Sequence, residues 1–402
     1  MVESSFKSKL PNLAISIFTE MSIMANQYKA INLSQGFPEF DTPEFLKSEI
    51  NQAIADGKNQ YCPSSGLPEL LNQIGKLVHR KYQKDALPEQ LIEGINNVTV
   101  TSGATEALWV AIQTIVRTGD EVIVFDPAYD SYEPAVELAG GSCHHIALNT
   151  PDYAIDWSLV KQAINKNTRA IIINSPHNPT GTLLSQSDLE ALEKLVVEHN
   201  LYVISDEVYE YMTFDGLRHE SVLSHPELFK RAFVVSSFGK TFHCTGWKMG
   251  YCVAPADLTV EFRKIHQYVT FCSFTPAQFA IASMLKNHPN HIDELAGFYQ
   301  QKRDVLVEAL KDSQFKVLSS KGTYFLLLDY SEISNISGIS DYNDVEFCHW
   351  LTKEVGVAAI PLSPFYQADT LVDYHQNNKV VRLCFAKNEA TLLKAAEILC
   401  QL

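Results

Sequence analysis

The sequence is poor in the features that mark membrane, secreted and metal-binding proteins. Its 402 residues include only eight cysteines, scattered without a C-x-x-C pair, which disfavours a zinc site or a disulfide framework and favours a reducing, cytoplasmic compartment. No apolar run approaches the roughly 18 residues that a membrane span requires. The first residues lack a charged segment followed by an apolar core, so no secretory signal is expected.

Positive charge is also scarce. Lys and Arg number 32 against 47 Asp and Glu, which gives a formal net charge of −15. General binding to nucleic acid or to an anionic membrane is therefore disfavoured, although small anions can bind at local basic positions. No G-x-G-x-x-G motif follows the first β-branched run of the central region, which argues against a dinucleotide-dependent oxidoreductase.

The middle of the chain alternates short apolar runs with helix-like stretches. The runs are rich in β-branched residues, as buried strands are, and the stretches at 105–116 and 185–200 carry apolar residues at helical spacing. This pattern predicts an α/β fold whose mostly parallel central sheet is covered by helices on both faces. The five runs are NVTVT (97–101), EVIVF (121–125), AIIIN (170–174), LYVIS (201–205) and AFVVS (232–236).

The two chain ends are expected to form a second, smaller unit. A predicted helix at 286–311 leads out of the central region to separate strands at 321–329 and 379–386. The predicted division is a large domain over 47–285 and a smaller α+β domain made of 1–46 and 286–402.

Each of the five runs ends in a polar or aromatic cluster. Ligands of parallel α/β sheets bind at the carboxyl ends of the strands, because loops and helix N-termini meet there. Taken singly, each cluster has an ordinary explanation as a helix cap, a turn or a solvated lysine. Their joint position predicts one shared cleft. The clusters are Ser102-Gly103-Ala104-Thr105, Asp126-Pro127-Ala128-Tyr129, the segment from Ser175 to Gly181, Asp206-Glu207-Val208-Tyr209 and Ser237-Phe238-Gly239-Lys240.

Three ordered motifs resemble those of a known family. The segment from Ser236 to Gly250 (SSFGKTFHCTGWKMG), together with Asn178-Pro179-Thr180-Gly181 and Asp206-Glu207-Val208-Tyr209, is similar to the signatures of the class I/II aminotransferases. These are enzymes of fold type I that depend on pyridoxal 5′-phosphate (PLP). The resemblance runs from Gln35 to Arg382 and looks strongest for kynurenine/glutamine and bacterial methionine aminotransferases. It implies transfer of an amino group between an amino acid and a 2-oxo acid.

The resemblance implies catalytic roles for three residues. Lys240 corresponds to the lysine that holds the cofactor as a Schiff base and then carries the proton from the substrate's Cα. Asp206 matches the carboxylate facing the cofactor's ring nitrogen, where a buried anion raises the pKa of that nitrogen. Tyr209, with Asn178, matches the side chains that hydrogen-bond the cofactor's 3-oxygen. Lys248 is a rival for the covalent role, but the resemblance places it on the cofactor phosphate.

Further cofactor contacts are implied around the phosphate and the ring. Backbone N–H groups at a helix start, with the positive end of the helix dipole, suit a phosphate dianion. Tyr61 resembles a tyrosine that reaches the phosphate of the neighbouring subunit, so a homodimer with shared active sites is expected. The other implied contacts are Gly103, Ala104, Thr105 and Ser237 for the phosphate and Tyr129 stacked on the ring.

Arg382 is the implied ligand of the substrate carboxylate, assisted by Asn178 and the backbone near Gly36. Because an unpaired arginine is costly within the apolar pattern VVRLC, a structural ion pair is the alternative. Phe18 matches an aromatic that lies over the substrate side chain. Three more aromatics either add to an apolar pocket or pack in the core: Phe37, Phe271 and Phe274.

This apolar lining suits a methionine, phenylalanine, tyrosine, kynurenine or glutamine type of substrate, and no second arginine is positioned to select a dicarboxylic acid. His177 and the pair His144-His145 are expected to be structural, and no metal is expected. Two alternatives remain: a PLP-dependent carbon–sulfur lyase or decarboxylase on the same fold, and a regulatory protein that binds PLP or an amino acid without turnover. The absence of a basic segment or spare length for a DNA-binding module disfavours the regulatory protein.

Overall fold

The computed structural model describes residues 7–402 except 12, 14, 84–91, 334–335, 337, 368–369 and 372–378. Its strands form a seven-stranded sheet, a four-stranded sheet and a two-stranded sheet, and helices surround them. The predicted α/β class is therefore confirmed. Within the described ranges, none of the helices combines the length and apolar character that crossing a bilayer needs.

The strands and helices alternate through the middle of the chain. In chain order, the strands are β1 Ile31–Asn32, β2 Val98–Thr101, β3 Glu121–Asp126, β4 Ser142–Ala147, β5 Thr168–Asn174, β6 Tyr202–Asp206, β7 Ala232–Ser237, β8 Gly250–Val253, β9 Lys316–Val317, β10 Phe325–Asp329, β11 Val357–Ala358, β12 Ile360–Pro361 and β13 Val380–Cys384. The α-helices are α1 Ile17–Tyr28, α2 Glu44–Ala55, α3 Pro68–Tyr82, α4 Gly94–Asn97, α5 Ala104–Ile115, α6 Tyr132–Leu138, α7 Trp157–Ala163, α8 Gln186–Glu198, α9 Pro226–Phe229, α10 Phe238–Thr241, α11 Ala256–Val269, α12 Thr275–Asn287, α13 Asn290–Ala309, α14 Asp344–Trp350 and α15 Glu389–Leu399.

The large sheet has the order β2-β8-β7-β6-β5-β3-β4. The pairs from β7 through β6, β5 and β3 to β4 are parallel, whereas β8 is antiparallel to both β7 and β2. The mostly parallel sheet is thus confirmed, and the carboxyl ends of its central strands lie along one edge.

Both faces of this sheet are buried. On β3, Val122 and Val124 pack into the apolar cluster that includes α5, whereas Ile123 and Phe125 pack into the cluster on the opposite face. Successive residues of a strand point to opposite faces, so a continuous apolar run is what a sheet covered on both sides requires. This is why the central strands were readable from sequence.

Two helix predictions had different outcomes. Helix α8 begins after Ser185, whose side chain accepts from the Asp188 backbone in a capping box, as the predicted start signal implies. The predicted helix at 286–311 is wrong at its start, because α12 ends at Asn287 and a new helix begins at Asn290. Pro289 lies between them, at the N-cap of α13, where its missing N–H costs no helical hydrogen bond.

The chain ends meet in the smaller sheets. Strand β1 pairs in parallel with β11, and the antiparallel sheet β12-β13-β10-β9 comes from the last third of the chain. In this sheet Arg382 of β13 lies opposite Leu327 of β10 and Ile360 of β12. The exact domain boundaries at 47 and 285 stay a prediction.

Candidate active site

A cavity of about 160 Å³ opens at the carboxyl ends of the central strands. It is bounded by the segments that follow β2, β3, β5, β6 and β7, so the strand-end clusters do converge. The lining includes these residues proposed from sequence: Gly103, Ala104, Thr105, Tyr129, Asn178, Asp206, Tyr209, Ser237, Lys240 and Lys248.

Asp206 is the acid of this cavity. It ends β6 and is 4% exposed, and its carboxylate accepts from the Tyr132 hydroxyl at 2.7 Å and from the Val208 N–H at 3.3 Å. Burial raises the pKa of Asp206 to about 6, although the Tyr132 hydrogen bond acts in the opposite direction. Such a carboxylate gains from a positively charged partner in the cavity. Tyr132 was not among the residues predicted from sequence.

Lys240 is the amine of the cavity. It lies in the short helix α10, directly after β7, and its Nζ donates to the Tyr324 hydroxyl at 2.9 Å. Burial lowers its pKa to about 8, and the nearby positive charge of Lys248 acts in the same direction. A lysine with a lowered pKa supplies a neutral, nucleophilic amine close to physiological pH. Tyr324, too, was missed from sequence.

The start of helix α5 and Lys248 form a positive corner. Gly103 precedes α5 with a φ of +81°, a conformation that favours glycine. A Cβ added at Gly103 would lie 3.3 Å from Lys248 Nζ, so the ammonium lies close to the helix N-terminus. Backbone donors, helix dipole and ammonium together suit a phosphate dianion.

Aromatic and amide groups complete the walls. Tyr129 meets the ring of Tyr132 edge-on at 5.7 Å between centroids. The Asn178 N–H donates to Asn174 Oδ1 at 2.8 Å, which fixes the loop after β5. Tyr209 is buried, and Lys240 Nζ lies 5.6 Å from the centre of its ring.

Arg382 lies beside this cavity and is 1% exposed. Its Nη1 donates to Asn178 Oδ1 at 2.7 Å, its Nη2 donates to the Ser34 carbonyl at 3.3 Å, and its Nε has no partner among the described residues. Burial lowers its pKa to about 10. No carboxylate hydrogen-bonds this guanidinium in the described chain, so the alternative of a structural ion pair is not supported, and an N–H donor remains for an anionic ligand.

Aromatic rings enclose the guanidinium. Its central carbon lies 3.9 Å from the ring centre of Phe325, 5.2 Å from that of Phe18 and 5.3 Å from that of Phe365. The predicted aromatic Phe18 is therefore near the predicted carboxylate ligand. Gly36 is joined to the same region, since its carbonyl accepts from the Tyr324 hydroxyl at 2.6 Å.

Other predicted positions do not line the cavity. Tyr61 is 80% exposed and meets the ring of Phe271 edge-on at 5.1 Å. The prediction that Phe37, Phe271 and Phe274 pack in the core is wrong, because these residues lie at the surface and are 44%, 47% and 52% exposed. None of the three lines the cavity.

The histidines have structural contacts. His177 is buried against Thr180 Oγ1 at 2.7 Å, and burial lowers its pKa to about 4. His145 lies on β4, 2.8 Å from the buried Asp126. The described residues contain no cluster of His, Cys, Asp and Glu able to hold a metal ion.

Comparison with known proteins agrees with this geometry. The family model "Aminotransferase class I and II" matches residues 28–399. The chain belongs to this family. It is 51% identical to the methionine aminotransferase of Escherichia coli over 398 residues, which are 98% of each chain. It is 35% identical to the kynurenine–oxoglutarate transaminase of Dictyostelium discoideum, covering 96% of this chain and 94% of that one.

A solved structure gives the same result. The N-succinyldiaminopimelate aminotransferase of Mycobacterium tuberculosis superposes with a TM-score of 0.90 at 37% identity, covering 99% of this chain and 100% of that one. The protein is thus an aminotransferase that acts on amino acids and 2-oxo acids, with the fold type I architecture predicted from its sequence.

Members of this family depend on PLP, and so does this aminotransferase. The residues present fit the group on structural grounds. The positive corner at Gly103 and Lys248 matches a phosphate, and the buried Asp206 matches a protonated ring nitrogen. A reactive amine, that of Lys240, lines the same cavity.

Proposed function

We propose that this aminotransferase moves the amino group of an apolar or aromatic amino acid, of the methionine, phenylalanine, tyrosine, kynurenine or glutamine type, to a 2-oxo acid. The observation that carries the proposal is the buried Arg382, whose Nε has no partner in the described part of the chain and which has aromatic rings on several sides. The guanidinium offers one carboxylate a two-pronged contact, and the rings offer the side chain an apolar surface.

The charges near Arg382 support a substrate with a single carboxylate. The cations among the described residues that line the cavity are Lys240 and Lys248, and none of those residues is an arginine. Asp130, which accepts from Ser16 Oγ at 3.1 Å, contributes negative charge that acts on Arg382. A second carboxylate on the substrate would therefore meet repulsion instead of a dedicated partner.

Each polar group then has a defined task. PLP, when bound, supplies the electron sink for the bond broken at the substrate's Cα. Lys240 would hold the cofactor covalently, and its amine, once released, would carry the proton that leaves the substrate's Cα. Asp206 keeps a proton on the ring nitrogen, and Arg382 with Asn178 orients the substrate carboxylate. The phosphate would be held by Lys248, Ser237 and the N–H groups of the Gly103–Thr105 segment, and the 3-oxygen would accept hydrogen bonds from the Asn178 and Tyr209 side chains.

The decisive experiment offers single amino acids to the purified holoenzyme and records its visible spectrum. Methionine, phenylalanine and kynurenine are expected to bleach the cofactor band, and a 2-oxo acid is expected to restore it. Aspartate and N-succinyldiaminopimelate, whose side chains carry a second carboxylate, are expected to leave the band unchanged. Preferential bleaching by these acids would contradict the proposed substrate class. Release of thiol, pyruvate and ammonia from a cysteine S-conjugate without a 2-oxo acid would instead support the lyase alternative.

Lys240→Ala is the test of the proposed amine. The variant is expected to lose multiple turnover, because in the proposed mechanism this one amine supplies both the covalent bond and the proton transfer. Lys248→Ala is the matched comparison, since it removes a cavity lysine that we assign to the phosphate. It is expected to bind the cofactor more weakly yet to turn over when the cofactor is in excess. Full multiple turnover by Lys240→Ala would contradict the mechanism.

We also propose a homodimer in which Tyr61 reaches the phosphate of the partner's site. The support is a set of exposed aromatic residues, Tyr61, Tyr268, Phe271 and Phe274, among which the Tyr61 and Phe271 rings meet edge-on. Its connection to the cavity rim runs through Ser273 Oγ, which lies 3.3 Å from Ser102 Oγ. Large exposed apolar patches of this kind mark protein interfaces.

Mixed dimers test the shared site. In a hybrid of Tyr61→Ala and Lys240→Ala subunits, one of the two sites has both Lys240 and Tyr61 intact. Refolding the two variants together is therefore expected to give more activity than either variant alone. No gain on mixing would show that each chain uses its own Tyr61.

A cytoplasmic location is proposed from cysteine chemistry. All eight cysteines are free thiols, as expected in a reducing compartment. Fractionation of cells that produce the protein tests this directly, and recovery outside the cytoplasm would contradict it.

A further inference from the structure

Tyr324 lies between Lys240 and the backbone of the N-terminal segment. It lies in a bend directly before β10 and is fully buried, and its hydroxyl contacts two polar groups. The hydroxyl donates to the Gly36 carbonyl at 2.6 Å and accepts from Lys240 Nζ at 2.9 Å. The ring of Tyr209 meets that of Tyr324 edge-on, at 5.1 Å between centroids. Tyr324 therefore connects the proposed catalytic amine with the segment proposed to face the substrate carboxylate.

The chemistry of these groups sets the direction of the two hydrogen bonds. A carbonyl oxygen can only accept, so the Tyr324 hydroxyl hydrogen points to Gly36. The hydroxyl lone pairs are then available to Lys240 Nζ, which donates. A hydrogen bond from a charged donor is stronger than one from a neutral donor. The contact thus favours the protonated form of Lys240 over the neutral amine.

Lys240 has little else to orient its amine. Among the described residues, the hydrogen bond to Tyr324 is the one that its Nζ makes, and the rings of Tyr209 and Tyr324 lie 5.6 Å and 5.5 Å away. A lysine amine sits on a flexible four-carbon stem and loses considerable rotational freedom when it is fixed. A single acceptor on a rigid, buried ring can supply that fixation.

We propose that Tyr324 is a positioning residue. It holds the Lys240 amine once that amine is released, and it stabilises the ammonium that forms when the amine takes up the proton from the substrate's Cα. The inference depends on the role proposed above for Lys240. Tyr324 itself would not bond to substrate or cofactor. It would act by fixing the position of the Lys240 ammonium and by raising the pKa of the Lys240 amine.

The primary test is a titration of Lys240 in cofactor-free protein. Reductive methylation across a pH series, read by mass spectrometry of the peptide containing Lys240, gives the apparent pKa of this amine. Tyr324→Phe keeps the ring and removes the acceptor. Loss of one hydrogen bond to a charged group is expected to lower the apparent pKa by about one unit.

Tyr299→Phe is the matched control. Tyr299 is also fully buried, and its ring centre lies 5.7 Å from that of Tyr324, but its hydroxyl contacts His243 Nδ1 at 3.1 Å. This variant is expected to leave the Lys240 titration unchanged. An equal shift in both variants would assign the effect to packing of the aromatic cluster and overturn the proposal, as would no shift in Tyr324→Phe.

Isotope effects in the holoenzyme give a second readout. With an amino acid deuterated at Cα, Tyr324→Phe is expected to lower kcat and to raise the isotope effect on kcat, with KM nearly unchanged, because proton transfer becomes slower. A change in KM alone would contradict a role in positioning the base. Turnover by Lys240→Ala would refute the role of the lysine, whereas the titration reports on the Tyr324 contact independently.

A second variant keeps the test decisive if Tyr324→Phe does not fold. 3-Fluorotyrosine at position 324 preserves the ring and the hydroxyl but makes the oxygen a weaker acceptor. The apparent pKa of Lys240 is expected to fall by less than in Tyr324→Phe. An unchanged titration with this substitution also overturns the proposal.

Discussion

The buried acid at Asp206 is expected to destabilise the cofactor-free protein, and Asp206→Asn is expected to relieve that cost. Burial raises the Asp206 pKa from 3.8 to about 6 in the folded state. Between these values the folded protein keeps the proton while the unfolded chain releases it. The folded state therefore binds more protons than the unfolded state, so the free energy of unfolding decreases as pH rises through this window.

The magnitude follows from the size of the pKa change. A rise from 3.8 to about 6 corresponds to about 3 kcal/mol of lost stability above pH 6, of which about 2 kcal/mol develops between pH 4.5 and pH 8. Asparagine has nearly the same shape and can still accept from the Tyr132 hydroxyl, which lies 2.7 Å from the carboxylate. Asp206→Asn should therefore remove the pH-dependent cost with little change in packing.

Urea unfolding of cofactor-free protein at pH 4.5 and pH 8 measures this. The variant is expected to gain about 1–3 kcal/mol over wild type at pH 8 and less at pH 4.5, while the holoenzyme activity falls by roughly 100-fold or more. Tyr132→Phe is the matched control, because loss of the donor raises the Asp206 pKa further and steepens the decrease with pH. Equal pH dependence in wild type and Asp206→Asn would refute this reasoning.

Three further substitutions test other parts of the molecule. Arg382→Lys keeps the charge but loses the two-pronged donor, so KM for the amino acid is expected to rise about 100-fold with little change in kcat, as steady-state kinetics would show. Gly103→Ala places a side chain on a backbone with a φ of +81° and next to Lys248; it is expected to cost about 1–2 kcal/mol in thermal unfolding and to weaken PLP retention in dialysis. Asp126→Ala removes the acceptor of the Gln367 N–H, at 2.9 Å, and of Thr370 Oγ1. It is expected to destabilise the protein by about 3 kcal/mol in urea, because buried donors lose their partner.

Strands could be predicted from sequence where both faces of the strand are buried. The runs that became β3, β5, β6 and β7 are apolar on both faces, so their composition alone identifies strands of a covered parallel sheet. Strand β4 was not predicted, since it lies at the sheet edge, alternates in exposure and contains His144 and His145. An edge strand with polar side chains has no distinctive composition.

The site was readable where its residues follow strands in sequence. Gly103, Tyr129, Asp206 and Lys240 all come within a few residues of a strand end, and parallel topology brings such positions together. The contacts of Tyr132 with Asp206 and of Tyr324 with Lys240 span 74 and 84 residues. No local pattern marks these tyrosines, because their role depends on which distant side chain the fold places beside the hydroxyl.

Burial shifts the pKa of the acidic residue in the site upward and the pKa values of its basic residues downward. Burial raises the pKa of Asp206 and lowers those of Lys240 and Arg382, so each group is held in a place that disfavours its charged form. In the proposed site, a protonated ring nitrogen, an aldehyde and a carboxylate would relieve these three costs, one at each group. If the proposed roles hold, binding energy for cofactor and substrate is stored in the folded chain, and the groups that destabilise the cofactor-free protein are those that select its ligands.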